Sequence, residues 1–252
     1  MDESIQAQLL RINREFYTRF ADAFAETRTG VQPGWERIIP YLPPRCQVLD
    51  LGCGNGRLAR FLDERLQDVV YTGIDGSPAL VALAEQATAR LAHVRTTFGA
   101  ADLTTPGWER GLGTAQHDGV TALAVLHHIP GSAARSAFLI AAAGCLRGGG
   151  VLILSNWRFL YNERMRRKIV PWETIGLSND DVDPNDFLLD WRRDGAGRRY
   201  VHQLEPDEVS VLAAEAGFWL VEQYEADGRE GNLSLYSVLR KPEGFGSVVG
   251  QG

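Results

Sequence analysis

The chain is predicted to be an α/β fold around a mostly parallel sheet, and three observations predict it. Short apolar runs alternate with helix-like segments between residues 48 and 155, as parallel strands joined by crossover helices require. The first run, Val48-Leu49-Asp50-Leu51, opens into glycines at alternate positions, Gly52, Gly54 and Gly56, and passes directly into a helix-like stretch at 57–62. Two further strand-like runs, 219–224 and 233–239, close the chain around a polar, glycine-containing loop.

Taken in order, 48–51 is the first strand and 57–62 starts the helix behind its turn. Residues 69–75 read as strand two, and 78–91 as a helix with Ser77 as N-cap and Pro78 in its first turn. Residues 95–98 are the third strand and 119–125 the fourth. Residues 133–146 form a crossover helix, ended by Gly148-Gly149-Gly150 before strand five at 151–155. A helix is expected at 206–216 ahead of the closing hairpin. The excursion from 158 to 205 exceeds what a connection needs, so it is assigned as a cap over the site. Residues 1–44 form an N-terminal helical segment and 242–252 a frayed tail.

Composition excludes several classes. The 252 residues are 44% hydrophobic and 23% charged, ordinary for a folded protein with a sizeable core. The acidic start Met1-Asp2-Glu3-Ser4 lacks a signal-like pattern, and no apolar run could span a bilayer, so a cytoplasmic location is expected. Three cysteines without a C-x-x-C pair suggest neither a disulfide framework nor structural zinc. A net charge of −6 argues against a surface that wraps nucleic acid. The cap differs, with nine Lys or Arg against eight Asp or Glu over 158–199, interleaved with aromatics. That mixture suits phosphate contact and base stacking, and equally suits an amphipathic helix at 159–169 packed by its apolar face.

The glycine turn departs from the dinucleotide fingerprint G-x-G-x-x-G, because the third glycine comes one residue early and Arg57 occupies its place. Asp-x-Gly-x-Gly-x-Gly, on Asp50, Gly52, Gly54 and Gly56, instead resembles motif I of the class I S-adenosylmethionine-dependent methyltransferases, whose turn cradles the methionine part of the cofactor. The resemblance implies a Rossmann-like class I methyltransferase fold over 45–241, with a seven-stranded mostly parallel sheet, a C-terminal antiparallel hairpin and the cap after strand five. Asp75, at the end of strand two, can accept both ribose hydroxyls of an adenosine-containing cofactor, or cap the turn at Ser77. Asp102 resembles the family's acid that meets the adenine amino group, or is a turn aspartate. Asp50 supports the turn or pairs with the cofactor's ammonium. Leu123 lies near the end of strand four, where open α/β sheets place ligands, and joins the cofactor-binding set.

His127 and His128 follow that strand end. Neighbouring side chains diverge, so one faces the methyl donor and the other holds the loop, and the reading favours His127 as the facing ring. No Cys or carboxylate set accompanies them, so no metal is expected. A narrower resemblance, to the eukaryotic tRNA wobble-uridine carboxymethyl methyltransferases, is carried by Phe16-Tyr17, Val125-Leu126-His127-His128, Val170-Pro171-Trp172, Arg199-Tyr200-Val201-His202 and Gly231-Asn232. The chain departs from that family where its Arg-aromatic-Tyr-His becomes Arg-Tyr-Val-His and Gly-Asn-Trp becomes Gly-Asn-Leu233. The resemblance implies esterification of a carboxylate, with Arg28 and Arg199 holding the carboxylate or a phosphate and His127, His202 and Asn232 orienting the acceptor. With a hydroxyl or amine acceptor, His127 or His128 must serve as general base. Three functions are thus expected in turn: a methyltransferase for a carboxylate on a modified tRNA base, a small-molecule O- or N-methyltransferase, or a catalytically silent cofactor-binding partner subunit.

Overall fold

The computed structural model describes residues 1–27, 30–113, 116–192 and 195–244. Arg28, Arg193 and the tail beyond residue 244 lie outside the described residues. Helices α1 (Glu3–Arg19) and α2 (Ala21–Glu26) and a 3-10 helix, Pro33–Tyr41, precede the sheet. Strands β1 (Gln47–Leu51), β2 (Val69–Asp75), β3 (Val94–Ala100), β4 (His117–Leu123) and β5 (Leu146–Trp157) are parallel. Helices α3 (Arg57–Asp63), α4 (Pro78–Thr88) and α5 (Ser132–Gly144) form their crossovers. After the cap come α7 (Pro206–Glu215) and the antiparallel hairpin β9 (Trp219–Ala226) and β10 (Ser234–Arg240).

The seven strands run in the order β3-β2-β1-β4-β5-β10-β9, so strand order reverses between β1 and β4. In an open α/β sheet the crevice at that switch point is the ligand site. The pleat divides the core. Leu49, Leu51, Leu152 and Leu154 pack on the α5 and α7 side, while Val48, Val151 and Ile153 pack on the α3 side with Trp35 and Ile38.

One boundary differs from expectation for a steric reason. Helix α5 stops at Gly144, and Gly148-Gly149-Gly150 lies inside β5. A Cβ on Gly150 would stand 3.1 Å from the Asp118 carbonyl oxygen, so the glycines allow strand backbones to approach rather than ending a helix.

The cap is also built differently. The stretch 159–169 is no continuous helix. It breaks into a 3-10 turn (Phe159–Tyr161) and a single helical turn, α6 (Glu163–Arg166), where the Asn162 side chain accepts from the Met165 N–H at 3.1 Å. Then follow β6 (Ile169–Val170), β7 (Asp186–Trp191) and β8 (Gly197–His202), a small antiparallel sheet. Helix α1 docks on it through Asn13, whose amide accepts from Tyr200 N–H at 2.8 Å and donates to the Tyr200 carbonyl at 3.2 Å, as a neighbouring strand would. Among the described residues no helix is long and apolar enough to cross a membrane.

Candidate functional site

The floor of the crevice is the turn between β1 and α3. Gly52, Gly54 and Gly56 have φ of +76°, +55° and +73°, the left-handed region that glycine enters without strain. The Gly52 and Cys53 N–H groups donate to the Ile74 carbonyl at 2.7 and 3.1 Å, fastening the turn to β2. Asp75 completes the clamp. One carboxylate oxygen accepts from Gly54 N–H at 2.9 Å and the other from Ser77 N–H at 2.8 Å. Asp75 thus caps the turn at Ser77, lines the cleft, and has acceptor capacity left on each oxygen. Burial raises its pKa against the pull of those two bonds.

Asp50 lies beneath the turn with 3% exposure. It accepts from Thr121 Oγ1 at 2.6 Å and from the Tyr71 hydroxyl, and burial pushes its pKa up to about 6 despite those bonds. It supports the turn across β1, β2 and β4. Burial, with the charges of Asp50 and Asp75, drives the Cys53 thiol far above its usual range, so it is no nucleophile at neutral pH.

The cleft encloses about 330 Å³. Along one wall run Asp75, Asp102 and Leu123, and along the other Leu10, Asn13, Arg14, Tyr17 and Thr18 of α1. Asp102 accepts from the Thr104 N–H and hydroxyl at 3.0 and 2.6 Å and from Arg14 at 2.7 Å. Burial opposes its charge, but these donors prevail and hold the carboxyl below its ordinary value. The α1 residues are spaced i, i+3, i+4, i+7, i+8, one face of a helix, whose mixed polar and apolar character gives no motif in the sequence.

At the far end Ser155, Trp157, Arg164, Met165, Ser234 and Tyr236 line the cleft beside His128. His128, not His127, reaches it. The His128 Nδ1 is 3.1 Å from the Tyr200 carbonyl, which can only accept, so Nδ1 carries the proton and the Tyr17 hydroxyl donates to Nε2 at 2.9 Å. His127 has no exposed surface, packs at a tilt against the His128 and Trp157 rings with centroids 4.3 and 4.8 Å away, and faces Asn156 Oδ1 at 3.4 Å. Burial, then the neighbouring His128, depress its pKa well below the usual imidazole value and keep it neutral.

The remaining expected residues that are described, Arg199, His202 and Asn232, do not line the cleft. Arg199 is 2% exposed, with Phe16, Trp157 and Trp191 rings 4.6, 5.1 and 5.3 Å from its guanidinium carbon, and it bonds Tyr17 from behind. His202 bridges Asp186 at 2.7 Å and Glu208 at 3.0 Å. Asn232 is half-buried in the loop before β10 and does not line the cleft. No cluster among the described residues could hold a metal ion.

The residues fit S-adenosylmethionine. A Cβ on Gly54 would meet no atom within 4 Å, so the turn faces open cleft where a ligand can approach its backbone, next to the Asp75 carboxylate. Comparison with known proteins agrees. Residues 49–152 match the family model described as a methyltransferase domain. A trans-aconitate 2-methyltransferase of Methylobacterium radiotolerans is 37% identical over 142 residues, 56% of this chain and 47% of the relative, so the chain spans about half the length of that curated relative. A S-adenosylmethionine-dependent methyltransferase from Methanosarcina mazei superposes with TM-score 0.65 at 19% identity, covering 85% of this chain and 100% of that one. The 1,6-didemethyltoxoflavin-N1-methyltransferase of Burkholderia thailandensis, solved with bound 1,6-didemethyltoxoflavin and S-adenosylhomocysteine, gives a TM-score of 0.62 at 18% identity over 96% and 92% of the two chains. With the glycine turn, the switch-point cleft and the closing hairpin in place, the chain has a Rossmann-like methyltransferase fold and resembles S-adenosylmethionine-dependent methyltransferases.

Proposed function

We propose that the protein transfers a methyl group from S-adenosylmethionine to a carboxylate oxygen of a small organic acid, forming a methyl ester. The observation that carries this reading is the absence, among the described cleft residues, of an uncommitted base. Both His128 nitrogens are engaged, Asp75 and Asp102 hold backbone and Arg14 donors, and Asp227 accepts from Gly34 N–H at 3.0 Å and from Tyr236 at 2.8 Å. A hydroxyl or protonated amine must lose a proton to react, whereas a carboxylate is already a nucleophile at neutral pH.

The Gly52–Gly56 turn, Asp75 and Asp102 would hold the cofactor, which supplies an electrophilic methyl group on a sulfonium. The chain's own residues then position the acid. Arg199 holds Tyr17, Tyr17 holds His128, and His128 is fixed on the Tyr200 carbonyl, so the wall beside the acceptor is ordered before the acceptor arrives. Such preorganisation contributes through orientation, worth several kcal/mol of barrier in well-aligned reactions. Helix α1 and the cap close over the cleft, which favours a small acceptor over a base presented on a folded tRNA. The relative named for trans-aconitate, itself an acid, points the same way.

The test is transfer of labelled methyl from S-adenosylmethionine to a panel of small organic acids and, separately, to total tRNA. Base-labile label in the acids is the expected result. Label confined to tRNA, or resistant to base, overturns the reading.

A further inference from the structure

We propose that Arg164, on the cap, is an acceptor-binding residue that pairs with a second anionic group on the substrate, so the acid methylated carries at least two carboxylates. The proposal rests on the carboxylate reading above and names a residue that neither the glycine motif nor the family resemblance singles out.

Arg164, an exposed residue of α6, is among the residues that line the cleft. Its guanidinium makes no hydrogen bond, ion pair or ring contact among the described residues. The other cleft arginines differ: Arg14 is paired with Asp102 at 2.7 Å, and Arg57 donates to the Gly30 carbonyl at 2.9 Å. No cleft carboxylate is left over for Arg164 either, because Asp50, Asp75, Asp102 and Asp227 are each held by donors of their own. An arginine presents a planar fork matched to a carboxylate, and one without an internal partner keeps that fork for a ligand.

The short helix is fixed although its arginine is unpaired. Asn162 caps it, and Arg167 pairs with Glu163 on its outer side. Met165, next to Arg164, is buried with Trp157, Phe159, Leu189 and Val201. The backbone under Arg164 is therefore anchored to the same Trp157 that lines the cleft and meets the His128 ring edge-on at 5.5 Å. One carboxylate can lie beside Tyr17 and His128 while another meets Arg164.

The experiment measures binding and turnover side by side. Calorimetry of propane-1,2,3-tricarboxylate and of butanoate is run on protein saturated with S-adenosylhomocysteine, for wild type, Arg164→Gln and Arg164→Lys. Steady-state methyl transfer to the same acids is measured in parallel. The expected result is that Arg164→Gln weakens tricarboxylate binding and raises its KM at least tenfold. Butanoate, S-adenosylhomocysteine affinity and melting temperature should stay unchanged, and Arg164→Lys should recover part of the loss. Equal tricarboxylate binding by wild type and Arg164→Gln, or no binding by wild type, overturns the proposal. Arginine-dependent binding without methyl transfer to any acid keeps it and sinks the carboxyl-methylation reading instead.

Discussion

Gly54 sits where the turn backbone faces the cleft, with φ +55° and open space around its absent Cβ. A valine there places its branches in the ligand's path and strains a left-handed position by about 1–2 kcal/mol. Gly54→Val should therefore still fold, with a lowered melting temperature, and lose measurable S-adenosylhomocysteine binding by calorimetry. Gly52 is a different case, since its Cβ would stand 2.4 Å from Val125 Cγ2, and a substitution there damages the fold as well as the site. Asp50 yields a prediction about pH. Its folded pKa, about 6, lies above its ordinary 3.8, so between those values the native state binds more protons than the unfolded one. Its contribution to stability is thus largest below pH 4 and declines until about pH 6, by about 3 kcal/mol for a shift of roughly two units. Asp50→Asn abolishes that titration while its amide can still pair with Thr121 and Tyr71. Urea denaturation of both proteins from pH 4 to 7 should show the variant gaining on wild type as pH rises, then a constant difference. A constant difference throughout would mean that Asp50 titrates normally.

At the scale of elements, the cap and the body meet at His202 of β8. Its two ring nitrogens face only carboxylate acceptors, Asp186 of β7 and Glu208 of α7, so both must donate and the ring is an imidazolium. Arg135 of α5 also pairs with Glu208, at 3.2 Å, and donates to the Ile129 carbonyl at 3.1 Å beside the cleft, while the Tyr200 hydroxyl shares Asp186. Burial opposes the charge on His202, but the two carboxylate bonds outweigh it and raise its pKa above 6.5. For Glu208 burial raises the value, yet His202 and Arg135 bring it below 4.5. The His202 contribution is complete below pH 6.5 and fades as pH passes its raised folded value. The Glu208 contribution is complete above pH 4.5 and fades as pH falls. The bridge is strongest between those limits, so the stability lost in His202→Gln should be larger at pH 6 than at pH 9. In wild type, amide exchange in β7 and β8, corrected for intrinsic rate, should rise over the same interval. Loss that is the same at both pH values would refute an imidazolium bridge. None of this was legible in the sequence, where His202 is assigned to the acceptor by resemblance, because its partners lie in β7 and α7 and only the fold brings them together. The core of the sheet was legible: β1, its turn, β2 and the Ser77-capped α4 are local patterns whose apolar period and caps are written in consecutive residues. The cap was not. Its strands β6 to β8 are short and interrupted by charges, and the helical spacing over 159–169 is overruled by the Asn162 cap and by pairing of Ile169 with Leu189.

For the whole molecule, the switch point between β1 and β4 sets the glycine turn and Asp75 along the cleft, while α1 and the cap supply further lining residues. The first half of that division is written in the glycine spacing and Asp75. The second depends on contacts such as Asn13 with Tyr200 and Tyr17 with His128, between residues 187 and 111 apart in the chain, which no local pattern encodes. The cofactor half can be tested on the intact chain without knowing the acceptor. A ligand that binds only the folded state stabilises it by about 2.7 kcal/mol at 100 times its dissociation constant. For a chain of 252 residues this corresponds to a rise in melting temperature of roughly 5–10 °C. S-adenosylmethionine and S-adenosylhomocysteine should both produce it. NAD should not, because Arg57 stands where a dinucleotide turn needs its third glycine, and the Gly56 Cβ position is already 3.2 Å from Ala84 Cβ on α4. A shift with NAD and none with S-adenosylhomocysteine, measured by differential scanning fluorimetry at saturating ligand, would remove the cofactor assignment and the acceptor chemistry that depends on it.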